Sequence, residues 1–318
     1  MSAIQVAKVV LPWAAAWHLY YWLVRFLLTA LIPDFAEPSL KTIKEFSEVL
    51  RLDTKMPSEE KARRVGVYVR NYWATCVLSF TNGVAMVAIL VPFIWQNPGV
   101  AWSGDTETTY ESVWIACHIF MGYMLNDLAC VIKPVLMYRL SDEILFIGHH
   151  GAILVVWSSF CYDDWGHLFA IPTMMTEVTA LFINFRVLLV HLGLDSGALY
   201  TANGALALVS WYYLRLWKYC TVLSIRLFEL RACFYGEHGV RNSFVLLIFL
   251  FGFAIQCYWG YILTNGAIQA VVGGGGSGAG ASSKEAKAQV EQARDDMVEA
   301  SLRRSTRQRR RQQQPAAE

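Results

Sequence analysis

The chain alternates long apolar runs with short polar connections. Seven runs are long enough, at about 20 mostly apolar residues, to cross a hydrocarbon layer as helices. They cover residues 9–32, 72–95, 112–137, 144–161, 169–190, 205–227 and 244–267. The pattern predicts an all-α polytopic membrane protein with about seven transmembrane helices. The first run is too long for the apolar part of a signal peptide, and no small-residue cleavage site follows it, so it reads as a retained anchor. Pro172 near the start of the fifth run predicts a short irregular or re-entrant stretch over 163–172. Between the first two runs, Leu40, Ile43, Phe46 and Leu50 recur at helical spacing among Lys41, Lys44 and Glu48. That spacing fits an amphipathic helix, either lying at the membrane interface or capping the bundle.

Basic residues orient the runs. The segment 33–71 carries Lys41, Lys44, Arg51, Lys55, Lys61, Arg63, Arg64 and Arg70, whereas 96–110 and 162–167 carry none. Arg139, with Lys133 just inside its helix, marks the third connection. The alternation predicts a lumenal or external N-terminus and a cytosolic C-terminus. Arg231 and Arg241, beside the sixth connection, run against it.

Composition then excludes whole classes. Hydrophobic residues make up 55% of the 318, aromatics 14% and charged residues 16%, against about 25% charged in a soluble domain. Mean hydropathy is +0.36. No soluble enzyme core hides so much apolar surface, and 12 Trp, 15 Tyr and 17 Phe are the opposite of a disordered composition. Of the net charge of +2, the segment 273–318 carries +3, from nine basic and six acidic residues. No broad basic face remains for nucleic acid. That segment reads as a flexible Gly/Ser linker, a polar helix-prone stretch and an arginine cluster (Arg303, Arg304, Arg307, Arg309, Arg310, Arg311) that either touches anionic lipid or stays solvated. The seven cysteines stand singly, without metal or redox spacing.

Ionisable groups at membrane depth are functional candidates by default, since each costs at least ~2.5 kcal/mol to insert. The third run holds His118, Tyr123, Asn126 and Asp127, with Tyr123 and Asp127 one turn apart on one face. The fourth holds His149 and His150 between Gly148 and Gly151, which predicts a close approach by another helix or a ligand. Adjacent helical positions diverge by about 100°, so one of the two histidines faces the interior more fully. The fifth holds Glu177 and Asn184 on one face, with Arg186 pointing elsewhere. The sixth adds Arg215 and Lys218, and its Trp211, Tyr212, Tyr213 and Trp217 are either an interfacial belt or a pocket lining. His18 and Arg25 in the first run read as packing or snorkelling groups. Zinc would need three or four converging ligands, which this spacing does not offer, so no metal and no cofactor are expected.

Gly122-Tyr123-Met-Leu-Asn126-Asp127, Gly148-His149-His150 and Glu177-Val-Thr179-Ala-Leu-Phe182-Ile-Asn184-Phe-Arg186, in that order, resemble the TLC membrane-domain family over about 64–270. The resemblance implies an endoplasmic-reticulum multi-pass protein whose six helices enclose a lipid-accessible cavity, with the first helix outside that ring. Ceramide synthases of the family carry the histidine pair and a later H-D-x-x-D segment. Here that region reads Met174-Met175-Thr176-Glu177-Val178-Thr179-Ala180. The chain is more similar to the smaller TLC-domain proteins of the transmembrane-protein-56 type, associated with lipid homeostasis.

The division expected is a first anchor over 1–33, a cytosolic loop over 34–63, the membrane domain over 64–270, and the linker and tail over 271–318. The expected function is lipid binding or sensing in a cavity lined by Tyr123, Asn126, Asp127, His149, His150, Glu177, Asn184 and Arg186, with membrane lipids as partners. The alternative is a ceramide-synthase-like N-acyltransferase taking acyl-coenzyme A, with His149, His150 and Asp127 as catalytic candidates. A third possibility is a cargo receptor or trafficking factor.

Overall fold

The computed structural model describes residues 3–32, 38, 40–50, 52–53, 55–99, 110–138, 144–163, 167–192, 194–221 and 239–272. Every regular element among them is helical. Helix α1 is Ala3–Leu31 and α2 is Leu40–Val49. Helix α3, Ser58–Gln96, opens with Glu59 and Glu60, acids that favour a helix N-terminus. It stops where the Asn97 amide closes on the Phe93 carbonyl, at 3.0 Å, just ahead of Pro98. Helix α4 is Glu111–Tyr138 and α5 is Ile144–Asp163. Next come α6, His167–Met174, a tight 3₁₀ turn at Met175–Glu177 and α7, Val178–His191. Helix α8, Ala198–Ser210, runs on into a π-helical segment at Trp211–Lys218, and α9 is Gly239–Val272.

Four helices among the described residues are long and apolar enough to cross a membrane: Ser58–Gln96, Glu111–Ile132, Ala170–Val190 and Ser243–Gln269. The sequence leads one to expect about seven, and the other three stretches differ for separable reasons. Helix α1 has the length, at about 1.5 Å per residue, but its Trp, Tyr, His18 and Arg25 lower its hydropathy. In α5 the apolar stretch counted is Ile144–Ser158, and the side chains after 158 lie outside the described residues. The sixth run continues past 221 into residues not described. The irregular stretch expected over 163–172 is instead helix as far as it is described. Pro172 lies within α6, and the change of geometry falls three residues later, at the 3₁₀ turn. The basic connections at Arg139 and Arg231, the Lys133 and Arg241 side chains, and the linker and arginine-rich tail beyond 272 lie outside the described residues.

Compact units divide the chain at 1–260 and 261–318. In the second, residues 261–272 are described, the last turns of α9. All contacts below lie in the first. There α4 is the central helix, packed against α1, α3 and α5, while α3 also meets α7 and α7 meets α8. The core between them is built from Trp17, Leu78, Met86, Phe120, Trp157 and Ile171, with their neighbours. Helix α2 caps the bundle: Phe46 and the following Leu50 pack on Val65, Tyr68, Val69 and Trp73 of α3. Leu19, Phe26, Trp95, Leu136 and Leu247 point outward, an apolar exterior that suits a bilayer and not water.

Two glycines set how closely these helices approach. A Cβ on Gly122 of α4 would fall 2.5 Å from Trp13 Cβ and 2.8 Å from the Ala14 nitrogen of α1. A Cβ on Gly83 of α3 would fall 2.7 Å from Leu181 Cδ2 and 3.0 Å from the Glu177 carbonyl oxygen. Among the described residues no helix closes on the histidines at Gly148 and Gly151, since a Cβ at either meets nothing within 4 Å; the close helix crossing falls at Gly122.

Candidate functional site

The polar residues predicted from sequence divide into several groups. His150 and Asp127 face each other across the α4–α5 contact, with Nε2 2.9 Å from Oδ2 and both side chains buried. The other ring nitrogen, Nδ1, lies 2.9 Å from the Phe146 carbonyl oxygen one turn back. A carbonyl oxygen only accepts, so Nδ1 carries a proton, and the second contact needs a proton between imidazole and carboxylate. Whichever atom holds it, neither nitrogen of His150 keeps a lone pair for a substrate, and the pair as a whole is electrically neutral.

His149, a turn of about 100° away, faces elsewhere. Its ring meets Trp259 of α9 edge-on at 5.3 Å, and no hydrogen bond ties it among the described residues. It helps to line a partly open cavity of about 40 Å³ between α4, α5, α6, the 3₁₀ turn, Tyr219 and α9. Its lining mixes apolar side chains, Phe120, Ile153, Val156, Trp157, Ile248 and Phe249 among them, with the polar side chains of His149, Thr173, Thr176, Glu177 and Gln256. His150 and Asp127 are not among its lining residues.

Glu177 reaches the cavity because the 3₁₀ turn places it there, against Gly83. Its carboxylate is held loosely: Asn82 Nδ2 donates to Oε2 at 3.4 Å, and Arg215 Nη2 stands 3.6 Å from Oε1. Arg215 projects from the π-helical segment, and such segments recur at functional sites. It is buried, donates to Thr179 Oγ1 and to Gln256 Oε1 at 3.0 Å, and stacks on Trp211 with 4.7 Å to the ring centroid. Trp211 in turn donates its indole N–H to the Gln256 carbonyl at 3.2 Å. Tyr212, Tyr213 and Trp217 are exposed, so of those four aromatics Trp211 alone joins the interior.

The remaining predicted residues hold helices together. Asn184 donates to Ser79 Oγ at 2.9 Å, Ser79 also hydrogen-bonds buried Tyr123, and this ties α7, α3 and α4. Asn126 Oδ1 meets His18 Nδ1 at 2.9 Å, docking α1, while Trp22 donates to the other His18 nitrogen at 3.0 Å. His18 is therefore a packing group, not a snorkelling one, and Arg25 stacks on Trp22 at 4.7 Å. Arg186 lies over the Tyr200 ring, 4.1 Å from its centroid, and joins α7 to α8, away from the polar centre.

Sequence reasoning missed Asn82 and Gln256, and placed Arg215 only as one of two basic groups in the sixth run. An arginine in an apolar run was the available signal, because a buried guanidinium demands a carboxylate partner. No group of three or more His, Cys, Asp or Glu side chains able to hold a metal occurs among the described residues.

Comparison with known families places residues 72–265 on the TLC domain. No curated protein and no solved structure matches the chain.

Proposed function

The chain belongs to the TLC-domain family of membrane proteins, and from that premise we propose that it binds a lipid within the bundle and serves membrane lipid homeostasis. One observation carries the reading: a cavity between apolar helices whose lining combines apolar side chains with His149, Glu177 and Gln256. A lipid is the ligand that matches both kinds of lining, its chain running over Phe120, Trp157 and Ile248 and its polar group meeting the hydrogen-bonding capacity left on His149, Glu177 and Gln256. Membrane lipids are thus its proposed partners, with no cofactor, metal or nucleic acid.

The finer readings go with it. The span count proposed is about seven, α1 included, in the endoplasmic reticulum, with the N-terminus lumenal and the C-terminus cytosolic; the support is the alternation of basic segments along the sequence. The likeness proposed is to the small TLC-domain proteins and not to ceramide synthases. It is supported by the Met174–Ala180 sequence, and by the commitment of both His150 nitrogens, which leaves an N-acyltransferase only His149 to act as base or nucleophile.

The test is lipid analysis of the full chain purified into nanodiscs. A bound species in stoichiometric amount, lost when Ala152→Trp fills the cavity that Ala152 lines, is the expected result. Retention no different from the surrounding bilayer, in the wild type and in Ala152→Trp alike, refutes the reading.

A further inference from the structure

We infer that the polar group this cavity accepts is uncharged, an amide or hydroxyl-bearing head that both donates and accepts hydrogen bonds. Arg215 is the positioning residue that sets this selectivity. The inference rests on the lipid-binding reading and names the chemical class of its ligand.

Charge balance is the first ground. Glu177 is compensated by Arg215 at 3.6 Å, and Asp127 by His150 at 2.9 Å, so each pair is neutral. His118, the other titratable side chain among the buried polar residues described, faces the Trp114 carbonyl oxygen at 2.7 Å. His149 stands against Trp259 and His150 and pairs with no carboxylate among the described residues. Among the described residues the polar lining of the cavity therefore holds no spare charge. A phosphate, carboxylate or ammonium head entering it has to stay uncompensated in a low dielectric or change its protonation, and both are costly.

Hydrogen-bonding capacity is the second. The contacts to Glu177, at 3.4 and 3.6 Å, are long and leave its oxygens able to accept. Thr176 gives its own proton to the Thr173 carbonyl, so its oxygen accepts as well. Gln256 spends its oxygen on Arg215, which turns its NH₂ group into the donor of the site. Acceptor and donor thus stand side by side because Arg215 touches both Glu177 and Gln256, and a buried group of each kind calls for a complementary partner.

Three probes with one chain and different heads test this: palmitamide, palmitate and palmitylamine, each offered at pH 7 to the full chain in nanodiscs and counted per protein by mass spectrometry against empty discs. The wild type is expected to retain palmitamide at least about tenfold (about 1.4 kcal/mol) over either charged probe. Arg215→Gln leaves Glu177 uncompensated and reverses the order in favour of palmitylamine, whereas Glu177→Gln leaves Arg215 uncompensated and favours palmitate. The double variant, neutral again, returns to palmitamide, a pattern that loss of packing alone does not produce. Wild-type retention of a charged probe equal to or above that of palmitamide overturns the inference while leaving lipid binding intact, and it decides the matter even if a variant fails to fold. Folded single variants with an unchanged order overturn the role of Arg215. Retention of no probe and of no co-purified lipid overturns the lipid-binding reading itself.

Discussion

Substituting Gly122 by alanine adds one methyl group, and the structure says where it goes. The new Cβ falls 2.5 Å from Trp13 Cβ and 2.8 Å from both the Trp13 carbonyl carbon and the Ala14 nitrogen. Two of these three atoms are backbone, so no rotamer change relieves the clash and α1 has to move off α4. Overpacking of a tight core costs about 1–3 kcal/mol, with backbone contacts at the upper end. Helix propensity returns about 1 kcal/mol for Gly→Ala, which leaves a net loss of about 2 kcal/mol. The shift also strains two polar links between the helices, Trp17 to the Ile119 carbonyl at 3.2 Å and His18 to Asn126 at 2.9 Å, each worth about 0.6 kcal/mol in a membrane protein. A total of 2–3 kcal/mol lowers the midpoint of thermal unfolding in detergent by about 4–12 °C. Gly148→Ala is the matched control: its Cβ meets nothing within 4 Å, so the propensity gain stands alone and the midpoint stays level or rises. Equal midpoints for wild type and Gly122→Ala would refute the helix crossing described for α1 and α4.

Other consequences follow from the polar centre and the cap. Asp127→Asn removes one partner of a buried pair and is expected to cost about 3–5 kcal/mol, whereas a double substitution of Asp127 and His150 by leucine costs less than the sum of the single changes; thermal unfolding of the four proteins measures the coupling. Gly83→Ala pushes on the Glu177 carbonyl and Leu181, so lipid retention should fall several-fold with a smaller loss of stability than Gly122→Ala gives, as lipid analysis beside thermal unfolding will show. Leu50→Ala opens the contact that holds α2 on α3, at a cost of about 2–5 kcal/mol, and limited trypsin digestion should then cut faster at Lys41 and Lys44.

The sequence carried the class and the polar inventory well and the wiring poorly. Runs of apolar residues identify membrane-crossing helices because a bilayer demands them, and for Ser243–Gln269 the expectation matches the helix found, whereas the helix expected over 72–95 begins earlier, at Ser58. Helix α1 is harder to read, since Trp13, Trp17 and Trp22 count as weakly polar on a transfer scale, while Trp17 packs in the core and Trp13 and Trp22 stay exposed. Helical spacing put Tyr123 with Asp127, and predicted that His149 and His150 diverge, but which histidine meets which partner depends on how α4 and α9 pack against α5, which spacing along one helix does not show. Neither Gly122 nor Gly83 stood out in the sequence as a helix crossing for a related reason: a glycine lets a helix approach closely only where one arrives, and sequence does not show where one does. Arg215 was visible as an anomaly and unreadable as a hub, because its partners Glu177, Thr179 and Gln256 come from two other segments.

The central claim, a lipid held in the cavity lined by Phe120, Trp157, Glu177 and Gln256, is tested most directly by photocrosslinking from two positions on α5. A photoreactive residue at Ala152 faces the cavity, and one at Val155, 50% exposed, faces outward. Irradiation in native membranes followed by mass spectrometry should give a discrete lipid adduct at Ala152 and the mixed bilayer composition at Val155. The same mixture at both positions, or no lipid at Ala152, would contradict the account.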